Sequence, residues 1–215
     1  MSYPRLILLD AVGTLFGVSG SVGQHYRDVA LDWGVDVNAR QLNDAFFEAF
    51  RSAPPMAFPG AGPDEIPDLE YRWWEAIAER CFARAGALER FQDFPGFFAD
   101  LWDYFAGPTP WFVYPEVPTL LERWVNQGIT LGVLSNFDSR IHPVLEALDL
   151  RDYFASITIS TEVGAAKPDP QVFAAALAKH NCPPHQAWHI GDSYREDCKG
   201  ATAAGIRAIW VNRPD

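Results

Sequence analysis

Several residues that could do chemistry each follow a short apolar run of the chain. Asp10 comes directly after Leu6–Leu9, Ser135 ends a second apolar run, and Asp192 comes two residues after a third. Lys167 lies in a loop after a fourth run. Two carboxylates, one hydroxyl and one ammonium, if brought together, suit a phosphate group, a divalent cation and an aspartate that acts as nucleophile.

The apolar runs before these residues have the pattern of β-strands, and helical patterns separate the later ones. Repeated strand–helix units indicate a parallel sheet with right-handed crossovers, whose strand ends open onto one crevice. We therefore predict an α/β fold with a Rossmann-like parallel sheet core. The later elements are predicted as strands at 130–134, 156–160, 187–190 and 207–211 and helices at 117–126, 140–148, 170–180 and 196–204.

Between the first strand and the later units, the sequence has helical periodicity without strand-like alternation. This pattern predicts a helical cap inserted into the core, at residues 19–106, with the core formed by 1–18 and 107–215. A segment rich in proline and glycine at 53–63 predicts a loop within the cap. The cap helices are predicted at 22–33, 39–51, 69–85 and 95–105.

Composition excludes several classes of partner. The net charge of −11 disfavours nucleic acid and anionic membrane surfaces, and no apolar run is long enough for a signal peptide or a membrane span. Cys81, Cys182 and Cys198 have neither disulfide nor zinc-site spacing, which favours a reducing compartment. We expect a cytoplasmic protein with a small-molecule partner, and the sequence leaves the oligomeric state open.

Each candidate residue also has a purely structural interpretation. Asp10 is a suitable helix N-cap, and Ser135 with Asn136 suits a turn. Lys167 precedes Pro168 at the start of a helix and could be solvated. The segment 191–197 is harder to explain in this way, because two aspartates five residues apart open a helix after an apolar strand. Carboxylates at such a strand end can bind Mg²⁺.

The order of these motifs resembles that of the haloacid dehalogenase (HAD) superfamily, whose phosphatases carry DxDxT, Ser/Thr, Lys and GDxxxxD motifs in sequence. Thr14, Ser135, Lys167, Asp192 and Asp197 match that order. The resemblance covers the whole chain, because such proteins often insert a helical cap after the first motif.

Two further matches, 135–138 and Trp73-Trp74, resemble the subfamily of HAD-like hydrolase domain-containing protein 3 and the rhythmically expressed gene 2 product. The superfamily resemblance implies a Mg²⁺ cofactor. It makes Asp10 both the nucleophile and a metal ligand, Asp192 the second carboxylate ligand, and the backbone carbonyl of Val12 a third ligand.

The same resemblance implies how a small phosphorylated substrate is held. Ser135 and the Asn136 amide would bind phosphoryl oxygens, and Lys167 would fix both Asp10 and the phosphate. Asp197 would orient Lys167 or the waters on the metal. Thr14 is counted with the catalytic residues because it matches the first motif.

Val12 departs from the phosphatase pattern, which has an aspartate there as general acid and base. General acid–base assistance is typically worth about two to four powers of ten in rate. We therefore expect a phosphatase that is weak on poor leaving groups, or a binding or regulatory protein that has lost turnover. A haloacid dehalogenase needs no acid there, but the retained Asp192 would repel its carboxylate substrate. A Schiff-base hydrolase is excluded because the predicted cap contains no lysine.

The predicted cap is rich in aromatic residues. Helical spacing favours a core role over a ligand surface for the tryptophans of the cap and of the segment that follows it. His25 and Arg27, on the first cap helix, either face the crevice and select the substrate or are exposed to solvent. The tryptophans considered are those at 33, 73, 74, 102, 111 and 124.

Overall fold

The computed structural model describes residues 3–213. The outer bounds predicted for the core, residues 1 and 215, therefore lie outside the described residues. Parallel strands form the central sheet in the order β5-β4-β1-β6-β7, which confirms the predicted α/β fold. The central strands β1 and β4 are almost wholly apolar and buried, as expected where helices cover both faces. The strands of this sheet are β1 (Leu6–Leu9), β4 (Thr130–Ser135), β5 (Ser156–Ile159), β6 (Ala187–Gly191) and β7 (Arg207–Trp210).

An antiparallel ribbon, which the sequence analysis did not predict, joins the two halves of the chain. It pairs β2 (Phe16–Val18) with β3 (Trp111–Val113). Each strand has three residues and its partner lies far away along the chain, so neither gives a periodic signal. β2 lies where the chain leaves the sheet for the inserted helices, and β3 lies where the chain returns from them.

The inserted segment is helical, as its periodicity predicts, and has its own apolar core. Side chains of Ser21, Asn38 and Asp93 cap three of its helices by accepting a backbone N–H from the first turn. We refer to these four helices as the cap helices. They are α1 (Val22–Asp32), α2 (Ala39–Ser52), α3 (Ile66–Arg84) and α4 (Phe94–Ala106).

The helices that flank the sheet follow the predicted pattern with two exceptions. A four-residue helix, Ser160–Val163, was not predicted, and its first residue lies within the strand expected over 156–160. The single helix expected over 196–204 is a π-helical turn, Tyr194–Lys199, followed by a short α-helix. Ser193 caps this turn by accepting from the backbone N–H of Glu196. The flanking helices are α5 (Val117–Asn126), α6 (Ile141–Ala147), α7 (Ser160–Val163), α8 (Pro170–Ala178) and α9 (Gly200–Ala203).

The structure also bears on the expectations for membrane spans and for the cysteines. Within residues 3–213, no helix combines the length and the apolar character needed to cross a bilayer. Cys81, Cys182 and Cys198 are all buried free thiols. The cysteines therefore pack as small apolar side chains in this fold.

Candidate active site

The sheet brings the candidate residues together at its carboxyl edge. Leu9 of β1 pairs with Val133 of β4 on one side and with Ile190 of β6 on the other. These three strands therefore end level with one another, and the residues that follow them meet in one crevice. Asp10 and Ser135 are both buried there.

Lys167 is the centre of a buried ionic network. Its Nζ donates to Asp10 Oδ1 and to Asp197 Oδ1, each at 2.6 Å, and the side chain exposes only 2% of its surface. Burial by itself would lower the pKa of Lys167, but the two carboxylates and their hydrogen bonds more than offset it and raise that pKa. The ammonium is therefore charged at neutral pH.

Asp197 is held from three directions. In addition to Lys167, the ring Nε2 of His189 lies 2.8 Å from Asp197 Oδ1, and the backbone N–H of Ser193 donates to Oδ2 at 2.9 Å. Burial would raise the pKa of Asp197, but the hydrogen bond from His189 and the charge of Lys167 hold it well below its usual range. Asp197 is thus a fixed anion that positions the ammonium of Lys167.

His189 is a site residue that the sequence analysis missed, because it lies within a strand and reads as part of the core. Its ring is fully buried, and burial lowers its pKa, so the imidazole is neutral. The Nε2 atom must then carry the proton that it donates to Asp197. Nδ1 has no partner among the described residues, which agrees with this tautomer.

Asp192 completes a cluster of carboxylates. One oxygen each from Asp10, Asp192 and Asp197 lies within 4.8 Å of the others. Asp192 is at the exposed rim, yet partial desolvation and then the charges of Asp10 and Asp197 raise its pKa to about 6. Both oxygens of Asp197 accept hydrogen bonds, whereas Lys167 engages only Oδ1 of Asp10. Asp192 and the other oxygen of Asp10 are therefore available to a cation.

Mg²⁺ suits this donor set, because it prefers carboxylate oxygens and retains several waters. Two glycines allow the carboxylates to come so close. A Cβ on Gly13 would lie 2.4 Å from Asp192 Oδ2, and a Cβ on Gly191 would lie 2.1 Å from Asp197 Cγ. Gly13 also has a positive φ of 85°, which favours glycine.

Asn136 holds the backbone of Lys167 with its side chain. Its Oδ1 accepts from the Lys167 N–H at 2.7 Å, and its Nδ2 donates to the Lys167 carbonyl at 3.0 Å. Nδ2 also lies 3.3 Å from an oxygen of Glu196. The side-chain amide is therefore committed to positioning the lysine loop.

Arg213 is a second residue that the sequence analysis missed. Its guanidinium donates to the carbonyls of Gly13 and Thr14 at 3.0 and 2.9 Å, and it pairs with Glu116 at 2.7 Å. The residues near the end of the chain thereby fix the loop that follows Asp10. Thr14 is buried in that loop, and its Oγ1 has no partner among residues 3–213.

A cavity of about 290 Å³ lies between the carboxyl edge of the sheet and the cap helices. Val12 lines it, two residues after Asp10, as do the aromatic residues Trp74, Trp102 and Trp111. These tryptophans also pack against the apolar cores, as expected. The predicted core role is therefore confirmed, but they form a cavity wall as well.

His25 and Arg27 are not among the residues that line this cavity. His25 is buried, with one ring nitrogen 2.6 Å from the carbonyl of Ser19 and the other 2.9 Å from the Tyr104 hydroxyl. The predicted alternative that His25 is exposed to solvent is therefore wrong. Its ring instead links Ser19, before the first cap helix, to Tyr104 of α4. Arg27 lies at the surface beside Asp28 and Asp36.

A polar contact fixes the cap helices to the core beside the cavity. Arg140 donates to both oxygens of Asp138 at 2.8 and 2.9 Å, and the indole N–H of Trp74 donates to Asp138 at 2.7 Å. The guanidinium also stacks 3.7 Å from the ring centre of Trp102. Near this group, Glu70 accepts from the backbone N–H and the hydroxyl of Ser139.

Comparisons with known proteins agree with this architecture. The HAD phosphatase from Thermococcus onnurineus is 21% identical, with a TM-score of 0.65 over 97% of this chain and 86% of that one. L-2-haloacid dehalogenase from Xanthobacter autotrophicus is 18% identical, with a TM-score of 0.71 over 99% and 79%. Since one neighbour is a phosphatase and the other a dehalogenase, these likenesses show the fold and leave the reaction open.

The sequence comparisons are more specific. Haloacid dehalogenase-like hydrolase domain-containing protein 3 of Bos taurus is 33% identical over 211 residues, which cover 98% of this chain and 83% of that protein. The predicted subfamily resemblance is thereby confirmed. The family profile described as haloacid dehalogenase-like hydrolase matches residues 4–205. The chain therefore belongs to the haloacid dehalogenase-like hydrolases.

Proposed function

We propose that this protein is a Mg²⁺-dependent phosphatase that acts on a small phosphorylated molecule through an aspartyl-phosphate at Asp10. The single observation that carries the proposal is the buried Lys167 ammonium, 2.6 Å from Asp10 and held by Asp197, next to the carboxylate of Asp192. A charged lysine beside two carboxylates that can share a cation gives a site for a phosphoryl dianion.

In the first step, an oxygen of Asp10 attacks phosphorus while the bond from phosphorus to the leaving oxygen breaks. Lys167 offsets the charge of the incoming phosphoryl group and holds Asp10 in place. Ser135, at the end of β4, and the backbone amide of Asn136 would bind phosphoryl oxygens. Arg213 supports the loop that follows Asp10 by donating to the carbonyls of Gly13 and Thr14.

Asp10 and Asp192, with the Val12 carbonyl, would hold the metal. When bound, Mg²⁺ supplies positive charge that polarises the phosphoryl group and offsets the crowded carboxylates. In the second step, water attacks phosphorus, the bond to Asp10 breaks, and the water proton passes to solvent. This step releases inorganic phosphate and restores Asp10.

Acetyl phosphate and para-nitrophenyl phosphate test the proposal, because neither needs a proton on its leaving group. We expect phosphate release that requires Mg²⁺ and is lost in Asp10→Asn. Hydroxylamine trapping followed by mass spectrometry should place the acyl-phosphate on Asp10. The matched control is Asp64→Asn, which changes an exposed loop aspartate and should keep full activity. Equal rates with and without Mg²⁺, or in Asp10→Asn, refute the proposal.

A binding or regulatory protein without turnover is the second candidate, and Val12 is the observation that favours it. The Val12 side chain lies in the cavity wall and cannot transfer a proton. The same assay separates the two functions. Binding of acetyl phosphate without any phosphate release would favour the binding protein.

A further inference from the structure

The cavity beside Val12 has the size and position of a binding site for the part of a substrate that leaves. Its volume of about 290 Å³ is close to the lower end of the roughly 300–1,000 Å³ typical of small-molecule sites. Val12 and Asn136 form its wall on the side of the strand ends. A phosphoryl group placed at Asp10 therefore has this cavity next to it.

The cavity wall is almost entirely apolar. Phe46, Phe50, Phe98 and Leu101 contribute to it from the cap helices, together with the tryptophans described above. Such a wall gains free energy by removing apolar surface of a ligand from water, and it gives no compensation to a buried polar group that lacks a partner.

Three polar side chains in the wall, those of Arg140, Asn136 and Trp74, have partners elsewhere. Asp138 neutralises Arg140 through two hydrogen bonds, and the ring of Trp102 covers the guanidinium. Asn136 is bound to the lysine loop, and the Trp74 indole N–H is bound to Asp138. A charged leaving group would therefore have to displace an existing ion pair to obtain a counter-ion.

The wall also contains no suitable proton donor. Tyr26 and Arg140 are its only ionisable side chains among the described residues. Burial raises the pKa of Tyr26 far above its ordinary value, and arginine stays protonated. A leaving alkoxide would have no acid close to it, because Val12 cannot supply one.

We propose that the substrate is a phosphate ester of an apolar phenol, whose aryl body fills the cavity between the core and the cap helices. This inference rests on the phosphatase activity proposed above. The phosphorus–oxygen bond breaks with both electrons passing to the aryl oxygen, and the product leaves as a phenolate that takes its proton from solvent. Phosphorus becomes bonded to Asp10, so the charge and the atoms balance.

Three substrates test the two parts of the inference, which are the aryl leaving group and the apolar body of the substrate. The kcat/KM of each is measured in the presence of Mg²⁺. Phosphoserine has an alkyl leaving group that needs a proton, and we expect it to be at least a hundredfold poorer than 1-naphthyl phosphate. Para-carboxyphenyl phosphate keeps an aryl leaving group but adds a charge, and we expect it to be at least tenfold poorer. Either compound matching 1-naphthyl phosphate overturns the inference.

Phe50→Asp tests the cavity itself, and Phe112→Asp is its matched control. Both phenylalanines are 41% exposed, but only Phe50 lines the cavity. We expect the kcat/KM ratio of 1-naphthyl phosphate to acetyl phosphate to fall at least tenfold in Phe50→Asp and to stay within twofold in Phe112→Asp. Phe47→Asp, at a 44% exposed cavity residue, replaces Phe50→Asp if that variant is poorly folded. Equal ratios in the cavity and control variants overturn the inference.

Failure of the proposed function is distinguishable from failure of this inference. If acetyl phosphate is hydrolysed but 1-naphthyl phosphate is neither bound nor hydrolysed, the inference is wrong and the phosphatase stands. If no compound is hydrolysed, the phosphatase proposal fails and calorimetry decides whether the cavity binds aryl groups. Binding of 1-naphthyl phosphate that is tighter than that of phosphoserine and weakened by Phe50→Asp supports the aryl site, and any other binding result overturns it.

Discussion

Lys167→Met replaces the buried ammonium with an apolar side chain of similar length. In the wild type, Nζ lies 2.6 Å from one oxygen of Asp10 and 2.6 Å from one oxygen of Asp197. Removing one partner of a buried ion pair typically costs about 3–5 kcal/mol, because the other charge loses its compensation. His189 and the backbone of Ser193 still hold Asp197 in the variant, so we expect the lower end, about 3 kcal/mol.

Urea unfolding at pH 8 measures this loss. With a typical m-value of about 2 kcal/mol/M, the midpoint should fall by about 1.5 M. The control is Lys199→Met, whose ammonium is exposed and lies 5.4 Å from the ring centre of Tyr194. We expect this surface change to cost less than about 0.5 kcal/mol. Equal midpoints for the two variants would refute the reasoning.

The pH dependence gives a second check with a defined sign. The pKa of wild-type Lys167 is raised, so its contribution to stability is present below the unfolded value of about 10.4 and is lost as pH rises through the folded pKa. The deficit of Lys167→Met should therefore stay constant between pH 6 and pH 9 and shrink only as pH rises above about 10.4. A deficit that has already disappeared at pH 9 would contradict this explanation.

Three other changes test the surroundings of the site. Asp192→Asn should weaken Mg²⁺ binding at least tenfold, as measured by calorimetry. The Mg²⁺ affinity of the wild type should decrease when the pH is lowered past about 6, because a proton then competes for Asp192. Equal Mg²⁺ affinity in the two proteins rejects the site. Val12→Asp should raise the single-turnover rate of the first step more on an alkyl phosphate than on para-nitrophenyl phosphate, and unchanged rates show that proton transfer is not limiting. Gly13→Ala should destabilise more than Gly34→Ala in thermal unfolding, because both glycines have positive φ but only the first would bring a Cβ within 2.4 Å of another residue; equal losses contradict the steric argument.

The amino-acid sequence determined the order of the elements and the residues at the strand ends. Apolar runs and helical periodicity are local signals, so the strands after residue 129 and the four cap helices lie within a few residues of their predicted bounds. Asp10, Ser135, Lys167, Asp192 and Asp197 could be recognised because parallel strands must open at one edge. Their assignment to catalysis stays a prediction, as do the domain bounds.

The functions of His189 and Arg213 were not visible in the sequence, since each depends on a partner that the fold brings close. His189 reads as a strand residue until the turn after β6 places Asp197 against its ring. Arg213 reads as a terminal charge until it reaches the loop of Gly13 and Thr14. Hydrogen bonds between distant segments leave no periodic pattern in a single sequence.

Only the tertiary structure decided what surrounds Val12. The sequence showed that an acid is missing at this position, but the apolar cavity beside it is formed by side chains from the cap helices and the core together. The ion pair between Arg140 and Asp138 is local, but its contacts with Trp74 of α3 and Trp102 of α4 depend on how those helices pack beside the loop after β4. Composition and periodicity describe each segment separately, whereas the shape and charge of a cavity depend on how the segments pack against one another.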